Sequence, residues 1–126
     1  MVKKAPLERE EQITFCNYLD FMNILYFAVP NGGSRNEREA KNLKKEGVKA
    51  GVPDMVVILE GQCLFVEMKR VKGSTTSKEQ KVWIETLTAL GHHAKVCKGA
   101  KEAIEFVEAY LPERKRKINV KQGSLI

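Results

Sequence analysis

The chain is 126 residues long, 43% hydrophobic and 30% charged, the size and make-up of one globular domain with a single core. No apolar run approaches the roughly 20 residues of a membrane span. The basic start is followed by Glu8, Glu10 and Glu11, unlike a signal peptide, so a cytoplasmic chain with no membrane partner is expected. The net charge of +6 is uneven: residues 112–126 hold five basic side chains and one acid, a net of +4, against +2 for the other 111 residues. The excess is thus largely a tail, and supports a polyanion partner without establishing one. The expected division is a domain over 1–111 and a basic, flexible tail over 112–126.

Residues 7–22 read as a helix with Pro6 at its start and acids in its first turn. A short β-rich run over 26–29 stops at Pro30-Asn31-Gly32-Gly33, a loop signal. A second helix is expected over 37–46, with Asn36 and Glu39 spaced as a capping box and Gly47 as its stop. Two apolar runs, 55–59 and 63–68, flank Glu60-Gly61-Gln62 and predict an antiparallel hairpin. Their apolar residues are consecutive, so strands covered on both faces are expected. A third helix over 77–90 carries Val82, Trp83, Thr86, Leu87 and Leu90 on one stripe, which places Trp83 in the core or at a subunit interface. A strand over 93–97 and a helix over 100–111 follow, ended by Pro112.

The order α-β-α-β-β-α-β-α, without internal repeats, predicts an α/β fold, a mixed sheet flanked by helices. Cys16, Cys63 and Cys97 lie far apart in apolar segments with no Cys-x-x-Cys pair, and read as reduced, buried, structural thiols. His92 and His93 lack a partner at ligand spacing and read as structural.

The chemistry concentrates in 51–69. Alternation along a strand puts Glu67 and Lys69 on one face, about 6.6 Å apart along the chain. Should Asp54, at the entry of the preceding strand, lie beside them, two carboxylates converge on one point. Such oxygen ligands suit Mg²⁺ or Mn²⁺, and a neighbouring lysine can stabilise an attacking hydroxide or transition-state charge. A strand ending in Glu-x-Lys and a Pro-Asp turn are each common. The combination, with apolar strands between, is what raises the catalytic reading.

The whole pattern resembles the PD-(D/E)xK nuclease superfamily and, within it, the VRR-NUC (virus-type replication-repair nuclease) family in its stand-alone form. The resemblance spans about residues 7–111 and rests on five pieces in order. They are Glu8-x-x-x-Gln12, Pro30-Asn31-Gly32-Gly33, a basic helix leading into Val48-Lys49-Ala50-Gly51-Val52-Pro53-Asp54, Phe65-Val66-Glu67-Met68-Lys69, and Ser77-x-x-Gln80. It implies a restriction-endonuclease-like core in which Asp54, Glu67, the Met68 carbonyl and Glu8 hold Mg²⁺ or Mn²⁺. Lys69 then stabilises charge and positions water, and Gln80 stands near the site. Glu11 is the alternative helix-one acid, and Gln80 also fits a capping box on its own.

Arg38, Lys41 and Lys45, at helical spacings of three and four, form a basic stripe suited to phosphate or simply to solvent. Arg35 and Asn31 in the Gly-rich loop are candidate DNA contacts on the same terms. The activity implied is a metal-dependent, structure-selective endodeoxyribonuclease. It cuts branched, Holliday-junction-like DNA as a homodimer, in replication, recombination or repair in a bacterial or phage-infected cell. The alternatives are a non-catalytic DNA-binding accessory protein and a sequence-specific restriction-type enzyme.

Overall fold

The computed structural model describes residues 5–30 and 36–112. Asn31, Arg35 and the basic tail expected after Pro112 lie outside the described residues. The elements are α1 (Glu8–Phe21), β1 (Leu25–Ala28), α2 (Glu37–Lys45), β2 (Met55–Leu59), β3 (Gln62–Lys69), α3 (Lys78–Ala89), β4 (His93–Lys98) and α4 (Gly99–Glu108). Both the order and the α/β class are those expected. The strands pair in sequence order as one mixed sheet, β1-β2-β3-β4, antiparallel as far as β3 and parallel between β3 and β4. A parallel pair needs a crossover, and α3 supplies it.

Local chemistry sets the helix ends. In α1 the Glu10 carboxylate accepts a hydrogen bond from the Leu7 N–H at 2.9 Å, and three first-turn acids face the positive end of the helix dipole. Asn36 Oδ1 accepts from the Glu39 N–H at 2.8 Å and caps α2. At the far end of α2, Gly47 takes φ +100°. The Val48 N–H then returns to the Leu43 carbonyl at 2.9 Å, a Schellman closure that only a left-handed residue permits cheaply.

The core lies on one face of the sheet, under α1 and α4. Phe15 and Leu19 of α1 meet Met55, Val57, Leu64, Val66 and Met68 of the central strands, with Ala103 and Val107 of α4 closing the layer, all wholly buried. These strand positions alternate, so one pleat surface supplies the core. Expectation and structure part on the other face. Val56, Ile58 and Phe65 are only half-buried there, and complete cover is reached only where Glu67 and Lys69 stand. The apolar runs do make both faces apolar, but the second layer does not close over them.

Other differences have the same origin. No residue of α3 is fully buried, and Val82 and Leu90 are 51% and 69% exposed. Trp83 is half-buried, with its indole N–H donating to the Ala50 carbonyl at 2.9 Å, so it is not a core residue. Of the thiols, Cys97 is buried, Cys16 half-buried and Cys63 exposed, so the buried reading fails for Cys63. His93 lies against Tyr110 with ring centroids 4.2 Å apart, and His92 meets Phe65 edge-on at 6.1 Å, both packing contacts.

Candidate active site

The residues 50–54 approach the start of α3 too closely for any side chain at Gly51. A Cβ there would stand 2.6 Å from the Glu79 Cβ and 2.9 Å from the Gln80 amide nitrogen, and its φ of +80° already favours glycine. The Trp83 hydrogen bond to Ala50 clamps the same turn. The turn delivers Asp54 to the entry of β2, where its carbonyl accepts from the Val29 N–H at 2.7 Å. Asp54 Oδ2 accepts from the Met68 N–H, also at 2.7 Å. The β2–β3 ladder starts at Met55↔Val66, so the Asp54 side chain takes over the next pairing position on β3. On a strand, N–H and C=O of one residue face the same neighbour, so the Met68 carbonyl is turned toward the Asp54 edge.

Glu67 is 1% exposed. Its Oε2 accepts from Gln80 Nε2 at 2.9 Å and pairs with Lys69 Nζ at 3.7 Å. Its Oε1 is buried with no hydrogen-bond partner. A buried acceptor without a donor costs roughly 1–3 kcal/mol, more when charged. Loss of water pushes the Glu67 carboxyl up to about 8, the Asp54 charge and a hydrogen bond with Asp54 add to the rise, and Lys69 opposes it. The protonated form of Glu67 is therefore favoured beside the Asp54 carboxylate.

Glu8 is half-buried and titrates above the ordinary carboxylate range, first through desolvation, then through Asp54, with Lys69 pulling it down. It also adds to the rise of Glu67, so the first turn of α1 faces the acids. Glu11 does not. Its Oε1 accepts from the Ala100 N–H at 2.9 Å and caps the start of α4. Gln80 combines its two expected roles: Oε1 accepts from the Ser77 N–H at 2.9 Å in a capping box, while Nε2 reaches Glu67.

The structure thus gathers Glu8, Asp54, Glu67, Lys69, Gln80 and the Met68 backbone. Arg38, Lys41 and Lys45 stand exposed on α2, which leads into the 48–54 segment. Two cations that the sequence reading passed over, Lys44 and Lys49, line a groove beside the 50–54 turn. The signal for Lys49 was its place in the motif run before Asp54, and for Lys44 there was none beyond helical spacing.

Among the described residues, no group of three or more His, Cys, Asp or Glu side chains is closed into a ready metal cage. The donors that do converge are nonetheless all oxygens. Glu67 Oε1 lacks any partner, and its carboxyl is raised by burial and by the Asp54 charge, which a cation at this point would offset. That donor set fits a hard divalent ion such as Mg²⁺ or Mn²⁺, and not a thiolate or imidazole site.

A family description of the VRR-NUC domain matches residues 9–101. A solved structure titled "VRR_NUC domain protein" is similar with a TM-score of 0.69 and 27% sequence identity, over 86% of this chain and 91% of that one. No curated protein matches the sequence.

Proposed function

Because the chain belongs to the VRR-NUC domain family, and so to nucleases of the PD-(D/E)xK type, we propose that it is a divalent-metal-dependent endodeoxyribonuclease hydrolysing phosphodiester bonds in branched DNA. The observation that carries the reading is the meeting of Asp54 and Glu67 beside Lys69, with one buried Glu67 oxygen left without a partner.

In this reading Asp54, Glu67, the Met68 carbonyl and Glu8 hold Mg²⁺ or Mn²⁺. Held by these residues, such an ion would supply charge neutralisation at the phosphate and activation of water. Every other contribution belongs to the chain. Gln80 fixes the Glu67 carboxylate through its amide, and the Ser77–Gln80 box fixes Gln80 in turn. Lys69, 8% exposed, keeps its ammonium at the Glu67 edge. There it orients the attacking water and meets the charge that develops on the phosphate oxygens. Burial excludes bulk water, which strengthens each of these interactions.

The finer assignment has independent supports. The VRR-NUC match covers residues 9–101, and in this reading the nuclease domain extends over 1–111 and recognises DNA by its shape. A homodimer would bring two such sites to two strands of a junction. The exposed α2 cations Arg38, Lys41 and Lys45 supply phosphate contacts, and Arg35 and Asn31 belong to the same proposal. No described helix is long and apolar enough to cross a membrane.

The test is incubation with a four-way junction and Mg²⁺ or Mn²⁺. Nicks that EDTA abolishes, and that Asp54→Asn and Glu67→Ala remove while DNA is still bound, are expected. Tight binding without cleavage under either metal would return the protein to a binding role. Cutting of plain duplex at one short sequence would make it a restriction-type enzyme.

A further inference from the structure

The uncovered face of the sheet forms a groove of about 900 Å³. Its floor is Val56 and Phe65, and its walls include Leu43 of α2 with Trp83 and Leu87 of α3. The volume lies at the upper end of the roughly 300–1,000 Å³ typical of ligand clefts. Among the described residues lining it, the charged ones are Lys44 and Lys49, with no acid. One wall is the 51–53 segment, the residues immediately before Asp54, so groove and acids lie on two sides of a single turn.

From this placement we infer that the groove seats unpaired nucleotides of a branched or single-stranded DNA, an inference that rests on the nuclease reading and gives it a basis for shape selectivity. The occupant must offer flat apolar surface to Phe65 and Trp83 and negative charge to two lysines. A nucleotide freed from its stack does both, because every base has a face for aromatic stacking and a phosphate for a cation. A paired duplex hides its base faces and presents only edges and phosphates. An apolar peptide satisfies the walls but leaves Lys44 and Lys49 without a counter-charge. The Ala50 carbonyl holds the Trp83 indole N–H at 2.9 Å, so the ring is oriented in advance. A strand seated here leads its adjoining backbone past the 50–54 turn toward Asp54 and Glu67.

Trp83 is the sole tryptophan, so fluorescence excited selectively at tryptophan, beyond the tyrosine band, reports on the groove. The full chain is titrated in EDTA with an oligothymidylate, a blunt duplex of equal length and a four-way junction, with fluorescence anisotropy of labelled DNA read in parallel. Quenching by the oligothymidylate and the junction, but not by the duplex, is expected. Leu43→Glu, at the groove wall, should lower the preference for single strand over duplex by about tenfold, in line with the loss of one stacked base. Lys44→Glu combined with Lys49→Glu, both exposed, should weaken binding of the oligothymidylate and its quenching of Trp83.

DNA bound with no change in Trp83 emission, an unchanged preference in Leu43→Glu, or undiminished oligothymidylate binding in the lysine variant overturns the inference. So does emission that shifts with protein concentration before any DNA is added, which would give the groove to a second copy of the chain. Cleavage of the junction with Mg²⁺, measured on the same samples, separates the two ideas. Cleavage without quenching removes the groove and keeps the nuclease, whereas quenching without cleavage keeps the groove as a single-strand site and removes the nuclease.

Discussion

Replacing Glu67 by glutamine should make the metal-free protein more stable at alkaline pH, although it removes the acid on which activity is proposed to depend. The folded-state carboxyl titrates at about 8, against 4.5 for a free glutamate, because it is buried beside Asp54. A raised carboxyl binds its proton more tightly in the folded state. Its contribution to stability is therefore fully present below about pH 4.5 and is lost as pH rises to about 8. If the whole difference were expressed it would amount to about 5 kcal/mol. Rotation of the side chain toward water reduces this, and about 2 kcal/mol is a reasonable expectation. For a domain of this size that is a rise in Tm of roughly 8 °C for Glu67→Gln over wild type at pH 8.5. Glutamine keeps an acceptor for Gln80, so packing changes little. Thermal melts in EDTA at pH 5, 7 and 8.5 measure the effect, and the difference should vanish at pH 5. Adding Mn²⁺ at pH 8.5 should then stabilise wild type by about 2.7 kcal/mol at a hundredfold excess over Kd, with little effect on the variant. Parallel pH profiles for the two proteins would refute the reasoning, since they would mean that Glu67 is not the strained acid.

Gly51→Ala should cost about 2–3 kcal/mol, from a positive φ and from a Cβ driven into Glu79, and should reduce cleavage by separating the 50–54 turn from Gln80; melts and junction cleavage read the two effects. Glu11→Ala should lower stability by about 1–2 kcal/mol through loss of its bond to the Ala100 N–H, yet leave cleavage largely intact below the melting range. Glu8→Gln should do the reverse, with cleavage lost and the melt nearly unchanged. Removing residues 113–126 should weaken DNA binding and flatten its salt dependence, as expected when several phosphate contacts are lost; an unchanged slope in a salt titration would exclude the tail as a contact.

Much of this was legible in the residues. Two apolar runs on either side of Glu60-Gly61-Gln62 placed the hairpin, and Asn36, Gly47 and Ser77-x-x-Gln80 marked helix ends that the structure reproduces as hydrogen bonds. The meeting of Asp54 with Glu67 was legible because a two-strand hairpin brings the start of one strand beside the end of the next. The choice between Glu8 and Glu11 was not. Both are first-turn acids on one helix, and only the docking of α1 against α4 shows that Glu11 is used at the Ala100 amide. A preference for the first turn is a local property, whereas the side on which a carboxylate finds its partner is a tertiary one.

The groove was hidden for a related reason. Consecutive apolar residues state that neither face of a strand prefers water, and burial on both faces is the economical reading. Whether a second layer closes depends on how near its helices approach, which here is fixed at one point. Gly51 and Trp83 bring the 50–54 turn hard against the first turns of α3, while α2, with no buried residue, stands away from the sheet. The same contact that tightens the site around Glu67 thus leaves space behind it. Filling that space with larger side chains would be easy, since Val56, Val48 and Ala40 all border it. Small residues at all three positions hold the groove open beside acids that are costly to bury. In the proposed reading a divalent cation offsets the charge of the acids and lets a DNA phosphate approach them, while unpaired bases fill the groove.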